Sequence, residues 1–442
     1  MSAGDGSRLP GIPTADERVD RVVCHVDMDC FYAACERLRE PELEGEPVVV
    51  GMGYDEGEDH GAVATASYEA RAFGVESAMP ISEALDRLPA REDAGESVEG
   101  TGHYRPVDMD YYESVAADVK AVLHDAAGTV REVSIDEAYL DVTSAVGWGS
   151  AESDGGESSD GEPGGAAGSF ATELKRRIES AAGVVASVGV APNMSAAKIA
   201  SDHDKPDGLV VVPPGEVREF LAPLDVAALH GVGPVTAREL GEMGIETAGD
   251  LAATDPEILV ERFGTRGREL HERASGRDDR PVEPRGDPKS LSNESAFVEA
   301  TDDPDRKREK VRELAASVAE RARSRGALYK TIGVKVVTPP YDVNTRARSL
   351  PGPVDDPDLV ERVALDLLSE FADDRVRKLG VRVSNLEFGG EQAKLGTYIG
   401  ESDGASTGAS TDEPGSEAGT GTDRAGDDPG RSRRGQTTFG DF

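Results

Sequence analysis

The sequence predicts an α+β protein of several domains, on three observations. Residues 291–389 alternate as strand, helix, strand, strand, helix, strand. Nearer the start, short apolar runs that read as buried strands end in acidic residues and alternate with helical patterns. Between these regions lies a glycine-punctuated helical stretch, and 442 residues exceed what one ordinary core organises.

In chain order, Val22–Val26 is a short apolar run that ends at Asp27, and residues 29–39 read as a helix. Arg131–Ile135 reads as a strand that turns at Asp136-Glu137 and returns as Ala138–Val142. A further strand, Val184–Val190, leads into a helix over Asn193–Ser201, with Asn193 as its cap. Residues 229–252 read as helix, glycine turn, helix. Then come a strand at Leu291–Glu299 and a helix at Pro304–Arg325, with Val311, Leu314, Val318 and Ala322 on one face. Strands at Leu328–Val337 and Tyr341–Leu350 flank Pro339-Pro340 and precede a helix at Asp356–Phe371 and a strand at Val376–Phe388. That order is the split β-α-β-β-α-β unit of ferredoxin-like folds.

Two tracts, 147–168 and 390–435, are Gly, Ser and acid with almost nothing apolar, and are expected to be a disordered loop insertion and a disordered tether. Residues 1–20 are polar, with no apolar core of a secretory signal. With no membrane-length apolar run and only three clustered cysteines, the expectation is a cytoplasmic, reduced protein. Against 48 Lys and Arg stand 86 Asp and Glu, a net charge of −38. Such a charge repels polyanions in dilute salt. Acids spread through every exposed-looking segment, with Arg outnumbering Lys, instead fit a surface adapted to molar salt, where the Debye length falls to about 3 Å.

Asp27, Asp136 and Glu137 sit at strand ends or in a strand turn, with no Lys or Arg near them in sequence. Carboxylates gathered this way repel one another, and divalent cations relieve the repulsion; hard oxygen ligands suit Mg²⁺. A pair of such ions can activate a hydroxyl and stabilise a leaving phosphate. In an acid-rich chain each of the three, taken singly, also reads as an ordinary turn acid. Tyr68 and Arg71 are spaced to share a helix face, where a guanidinium and a phenol can take phosphate oxygens, although a surface arginine looks the same. Lys205, in a Lys-Pro-Asp-Gly turn, can reach a phosphate or simply face solvent. Cys24, His25, Cys30 and Cys35 lack zinc-site spacing, since Cys24 and His25 point to opposite faces of a strand.

The stretches VDMDCFYAACE (26–36), AVATASYEARAFGV (62–75), SIDEAYLD (134–141) and VGVAPNMSAAKIASDHDKPDG (188–208) resemble, in order, the signature blocks of Y-family translesion DNA polymerases. The resemblance implies a right-hand fold: a ferredoxin-like palm (21–30 and 103–212), small fingers (31–102), a helical thumb (213–284) and a little finger (285–389). It implies DNA-templated, low-fidelity synthesis without proofreading, by a monomer using primer-template DNA and dNTPs. Asp27, Asp136, Glu137 and the Met28 carbonyl would hold two Mg²⁺ ions. Thr65, Tyr68, Arg71 and Lys205 would contact the incoming nucleotide, with Phe31 beside it, and Tyr32 would be the steric gate against ribose. Asp29 is not a metal ligand in this pattern. Cys30 stands where many relatives carry an aromatic ring.

Gly231 and Gly233 give the hairpin of a helix-hairpin-helix, whose backbone N–H groups can approach a DNA phosphate. Lys289, Lys330, Lys335, Arg346 and Arg348 lie on or beside strands of the split unit and are expected to contact DNA backbone. The terminal GQTTFGDF (435–442) places Gln436, Phe439 and Phe442 in the pattern of a peptide that binds a sliding clamp (PCNA). From residues alone, a palm-type nucleotidyl cyclase and a non-enzymatic helix-hairpin-helix protein remain open.

Overall fold

A computed structural model describes residues 21–93, 100–148 and 165–388. It divides into two compact units, one ending at Arg285 and one beginning at Gly286.

The first unit opens with β1 (Val23–Met28) and α1 (Phe31–Arg39). The helix starts two residues later than the expected 29–39, because Cys30 takes a left-handed conformation (φ 45°) that breaks from β1 before the helix begins. Next come β2 (Val48–Met52), β3 (Ala62–Ala66), α2 (Tyr68–Arg71), α3 (Ile81–Arg87) and β4 (His103–Pro106). These strands form a small sheet in the order β3-β2-β4, with its own core around Val49, Ile81, Leu88 and Tyr104.

The chain continues through α4 (Met109–Ala126), β5 (Thr129–Glu132), β6 (Glu137–Asp141), α5 (Gly165–Ala182), β7 (Ala186–Ala191), α6 (Met194–His203) and β8 (Leu209–Val211). The strand expected over 131–135 ends at Glu132, since Ser134 and Asp136 bond to each other in the turn (2.6 Å). Helix α5 begins inside the acidic tract at Gly165, which corrects its expected end at 168. Ala167 and Gly168 are buried, small residues that pass for linker in sequence but let a helix pack closely.

The larger sheet has the order β5-β6-β1-β7-β8. On β1, Cys24, Val26 and Met28 enter one core with α4 and α5, while Val23 enters another with α6. Cys24 and His25 therefore do face opposite ways. Gly189 on β7 lets α6 lie directly on the sheet: a Cβ there would stand 2.0 Å from the Ala197 carbonyl oxygen. That contact brings α6 over β1.

Helices α7 (Val217–Leu221), α8 (Pro234–Glu242), α9 (Ala248–Ala253), α10 (Pro256–Phe263) and α11 (Thr265–Ala274) complete the unit.

The second unit comprises β9 (Ser290–Thr301), α12 (Pro304–Ser324), β10 (Ala327–Thr338), β11 (Asp342–Val354), α13 (Pro357–Leu368) and β12 (Val376–Phe388), the β-α-β-β-α-β order that the sequence predicts. Its antiparallel sheet runs β11-β10-β12-β9. Strand β11 extends past the expected Leu350 through Pro351 and Pro353, which an edge strand tolerates because its outer side needs no N–H donor. Among the described residues no helix is long and apolar enough to cross a membrane.

Candidate active site

Antiparallel pairing of β1 with β6 sets Asp27 opposite Glu137, and β7 adds Ser187 on the other side of Asp27. Asp136 is tied in by its carbonyl, which accepts from the Met28 N–H (3.0 Å). Asp27 and Glu137 thus face each other at one end of the sheet, Asp136 is joined to that end through its backbone, and lysines stand beside the first two. Lys198 Nζ on α6 is 2.9 Å from Glu137 Oε1 and 3.9 Å from Asp27 Oδ2. Lys205 Nζ is 2.7 Å from Asp27 Oδ1 and 2.9 Å from Asp202 Oδ1. The absence of nearby cations in sequence is therefore corrected in space: two ammonium groups partly offset the charge of Asp27, Glu137 and Asp202.

Asp27 is largely buried, and that burial outweighs Lys205 and pushes its carboxyl up to about 6. Burial acts in the same sense on Glu137, but the His25 hydrogen bond and Lys198 prevail and hold it well below the usual carboxylate range. His25 is wholly buried, its Nε2 2.7 Å from Glu137 Oε1 and its Nδ1 2.7 Å from Ser201 Oγ. Burial lowers the His25 pKa, Nε2 faces a carboxylate that can only accept, and the Ser201 hydroxyl beside Nδ1 donates to the Lys198 carbonyl (2.7 Å).

Asp27, Asp136, Glu137 and the Met28 carbonyl offer hard oxygens, the ligand type that suits a divalent cation. Among the described residues, the only His, Cys, Asp and Glu group whose ligand atoms close to within 4.8 Å is Asp55, Glu58 and His60, on a loop between β2 and β3. Asp27, Asp136 and Glu137 do not close in this way, and Lys198 and Lys205 stand beside Asp27 and Glu137. A cavity of about 640 Å³ also lies elsewhere, lined by residues such as Glu40 and Arg105 that already pair with each other.

Tyr68 and Arg71 share a face of α2 as their spacing predicts, with the guanidinium carbon 4.9 Å from the ring centroid. The Tyr68 hydroxyl donates to Asp29 Oδ1 (3.0 Å), and Arg71 Nε donates to the Ala66 carbonyl (3.0 Å). Thr65 lies on β3 opposite Val50. Tyr32 is half-buried and stacks on Tyr112, with centroids 4.6 Å apart and planes 16° apart. The Phe31 side chain is buried in the core. Cys30, Cys24 and Cys35 are buried free thiols, and burial raises the pKa of all three.

In the glycine hairpin, Gly231 needs its φ of +94°, and a Cβ there would lie 2.6 Å from Arg273 Nη1. Arg266 and Arg273 on α11 donate to the Gly231 and His230 carbonyls (2.6 and 3.1 Å). Helix α8 follows from Gly233 and Pro234 with no capping side chain.

In the second unit, four of the five expected basic residues are already paired. Lys330 bonds Glu387, and Lys335 bonds Glu294 (2.9 Å). Arg346 bonds Glu370 (2.6 Å), and Arg348 bonds Asp366. Lys289 is exposed. Gln436, Phe439 and Phe442 lie outside the described residues. His25, Lys198, Ser187 and Ser201 were not legible as site residues; the one signal was Lys198, a lone cation in a helix of mostly small residues.

The impB/mucB/samB family matches residues 26–202, its C-terminal domain 288–395 and its helix-hairpin-helix motif 214–245. DNA polymerase IV of Halobacterium salinarum is 60% identical over 400 residues, covering 90% of this chain and 92% of that protein. DNA polymerase IV of Methanoculleus marisnigri is 42% identical over 370 residues, covering 84% and 95%. Among solved structures, a Y-family DNA polymerase chimera of Dbh and Dpo4 aligns with a TM-score of 0.70 at 29% identity, covering 83% of this chain and all of that one. DinB from Sulfolobus solfataricus aligns with a TM-score of 0.54 at 28% identity, with the same coverage. The acid-rich surface accords with the salt-loving relative. From its signature blocks, its sheet-end carboxylates and these likenesses, the chain belongs to the Y family of DNA polymerases, and it is a DNA-directed DNA polymerase of the polymerase IV type.

Proposed function

We propose that this chain extends a primer on a DNA template by two-Mg²⁺ deoxynucleotidyl transfer, with Asp27, Asp136, Glu137 and the Met28 carbonyl as ion ligands. One observation carries the reading: Asp27 and Glu137 face each other across β1 and β6 with Lys198 and Lys205 between and beside them, so the acids already require positive charge. The bound ions would supply activation of the primer hydroxyl and stabilisation of the pyrophosphate leaving group. His25 and Lys198 orient the Glu137 carboxylate. Arg71, Tyr68 and Lys205 hold the triphosphate, with Thr65 nearby. Tyr32, backed by Tyr112, lies under the sugar as the gate. Gly231 and Gly233 take a template-primer phosphate at the start of α8.

In the second unit, Lys289 is the one expected base without a carboxylate bonded to it among the described residues. Lys330, Lys335, Arg346 and Arg348 would exchange their carboxylate partners for phosphates on DNA. Gln436, Phe439 and Phe442 bind a sliding clamp, through a tether that raises local concentration. The protein works as a monomer in the cytoplasm.

Primer extension tests this. Glu137→Gln and Asp136→Asn abolish extension while duplex binding persists; retained extension removes the metal assignment. Deleting 436–442 removes only clamp-stimulated synthesis, and stimulation that survives the deletion removes the clamp peptide.

A further inference from the structure

Asp29 has no metal role in the site above, yet its buried carboxylate is among the most heavily bonded in the molecule. It is 8% exposed. Oδ1 accepts from the Tyr68 hydroxyl at 3.0 Å, Oδ2 accepts from the Asp207 N–H at 2.8 Å, and the Ser187 hydroxyl lies 3.0 Å from both. Ser187 Oγ in turn accepts the Gly208 N–H (3.1 Å). One carboxylate therefore fastens two separate elements: α2, in the small sheet's domain, and the turn that follows Lys205. Through Tyr68 it also reaches Arg71, which stacks on that ring.

We infer that Asp29 is a positioning residue for the nucleotide triphosphate, fixing Tyr68 with Arg71 on one side and the Lys205 turn on the other. The inference rests on the reading of Tyr68, Arg71 and Lys205 as the triphosphate grip. The phenol has one proton. Asp29 therefore holds the ring in place before the nucleotide binds; when a phosphate oxygen takes that proton, Asp29 keeps the Ser187 and Asp207 donors and the turn stays fixed. Asparagine preserves the shape and one acceptor oxygen, whereas alanine removes every bond.

Steady-state extension on a fixed primer-template, with the thermal midpoint of each variant, tests this. Asp29→Ala is expected to raise KM for dNTP about tenfold, the loss of one or two hydrogen bonds to a charged group, with kcat within about twofold. Asp29→Asn recovers part of that loss, and Ser187→Ala, which removes the Ser187 bridge to Gly208 but leaves the Asp207 N–H bonded to Asp29, raises KM by a smaller factor. Asp29→Ala adds less to KM in a Tyr68→Phe background than alone, because the two share one bond. Tyr68→Phe and Lys205→Ala test the underlying reading: unchanged KM in both overturns the grip and this inference together. If those two raise KM while Asp29→Ala and Ser187→Ala leave it unchanged, the inference alone is overturned. It is equally overturned if the Asp29 and Tyr68 effects simply add, or if Asp29→Ala lowers kcat and the thermal midpoint with KM untouched.

Discussion

Replacing Lys198 by methionine tests whether the palm acids depend on a resident cation. The ammonium is 2.9 Å from Glu137, 3.9 Å from Asp27 and 3.8 Å from Asp202. Unit charges 4 Å apart at an effective dielectric near 20 attract by roughly 4 kcal/mol before desolvation is counted. Exposed pairs contribute about 0–1 kcal/mol, and breaking a fully buried pair costs about 3–5 kcal/mol. Lys198 and Glu137 have side chains 25% and 19% exposed, between these limits, so Lys198→Met should cost about 2 kcal/mol in chelator. Methionine keeps the apolar stem, which confines the loss to charge. A divalent ion at the acids supplies the missing charge, and ion binding to the folded state adds stability by mass action. The gap should therefore shrink to under about 1 kcal/mol at saturating Mg²⁺, and divalent affinity should rise by roughly tenfold, the equivalent of about 1.4 kcal/mol. Urea unfolding at fixed KCl, with and without Mg²⁺, reads this out. The chain's one tryptophan, Trp148, packs on the palm core and reports that domain. A gap of the same size in both buffers, or none in chelator, would refute the reasoning.

Three further outcomes are expected. With its carboxyl pushed up to about 6, Asp27 carries a proton below that pH, and a metal ligand must shed it. Mn²⁺ binding followed by spin resonance should weaken by about tenfold from pH 7 to pH 5, and equal affinity at both would remove Asp27 from the ligand set. By the same shift, Asp27 favours the ion-free fold below pH 3.8 and loses that contribution as pH rises through about 6. In the second unit, Lys307 is buried and donates to the carbonyls of Phe371, Ala372 and Asp374 (3.1, 2.6 and 2.9 Å). Lys307→Met should cost about 2–4 kcal/mol by calorimetry, and a change under about 1 kcal/mol would show those carbonyls finding other donors. Tyr32→Ala should admit ribonucleotides, since the ring is held flat by Tyr112. Unchanged sugar selectivity would move the gate elsewhere.

The sequence by itself determined the element order of the second unit, the strand-end placement of Asp27 and the turn holding Asp136, because periodicity and turn chemistry act over a few neighbours; Glu137, expected in that turn, instead opens β6 and pairs with Asp27. It also carried the family, through blocks of local sequence. It did not show that α5 begins at Gly165, where the reasons for helix are buried contacts of Ala167 and Gly168. Nor did it show that the palm acids have cations: Lys198 is 61 residues from Glu137 in sequence and reaches it only because Gly189 lets α6 rest on the sheet. The pairings of Lys330, Lys335, Arg346 and Arg348, and the convergence of Tyr68, Ser187 and Asp207 on Asp29, belong to the same class. Side-chain partners are set by which backbones are brought together, and that is decided by packing across distant segments rather than by the local pattern of any one of them.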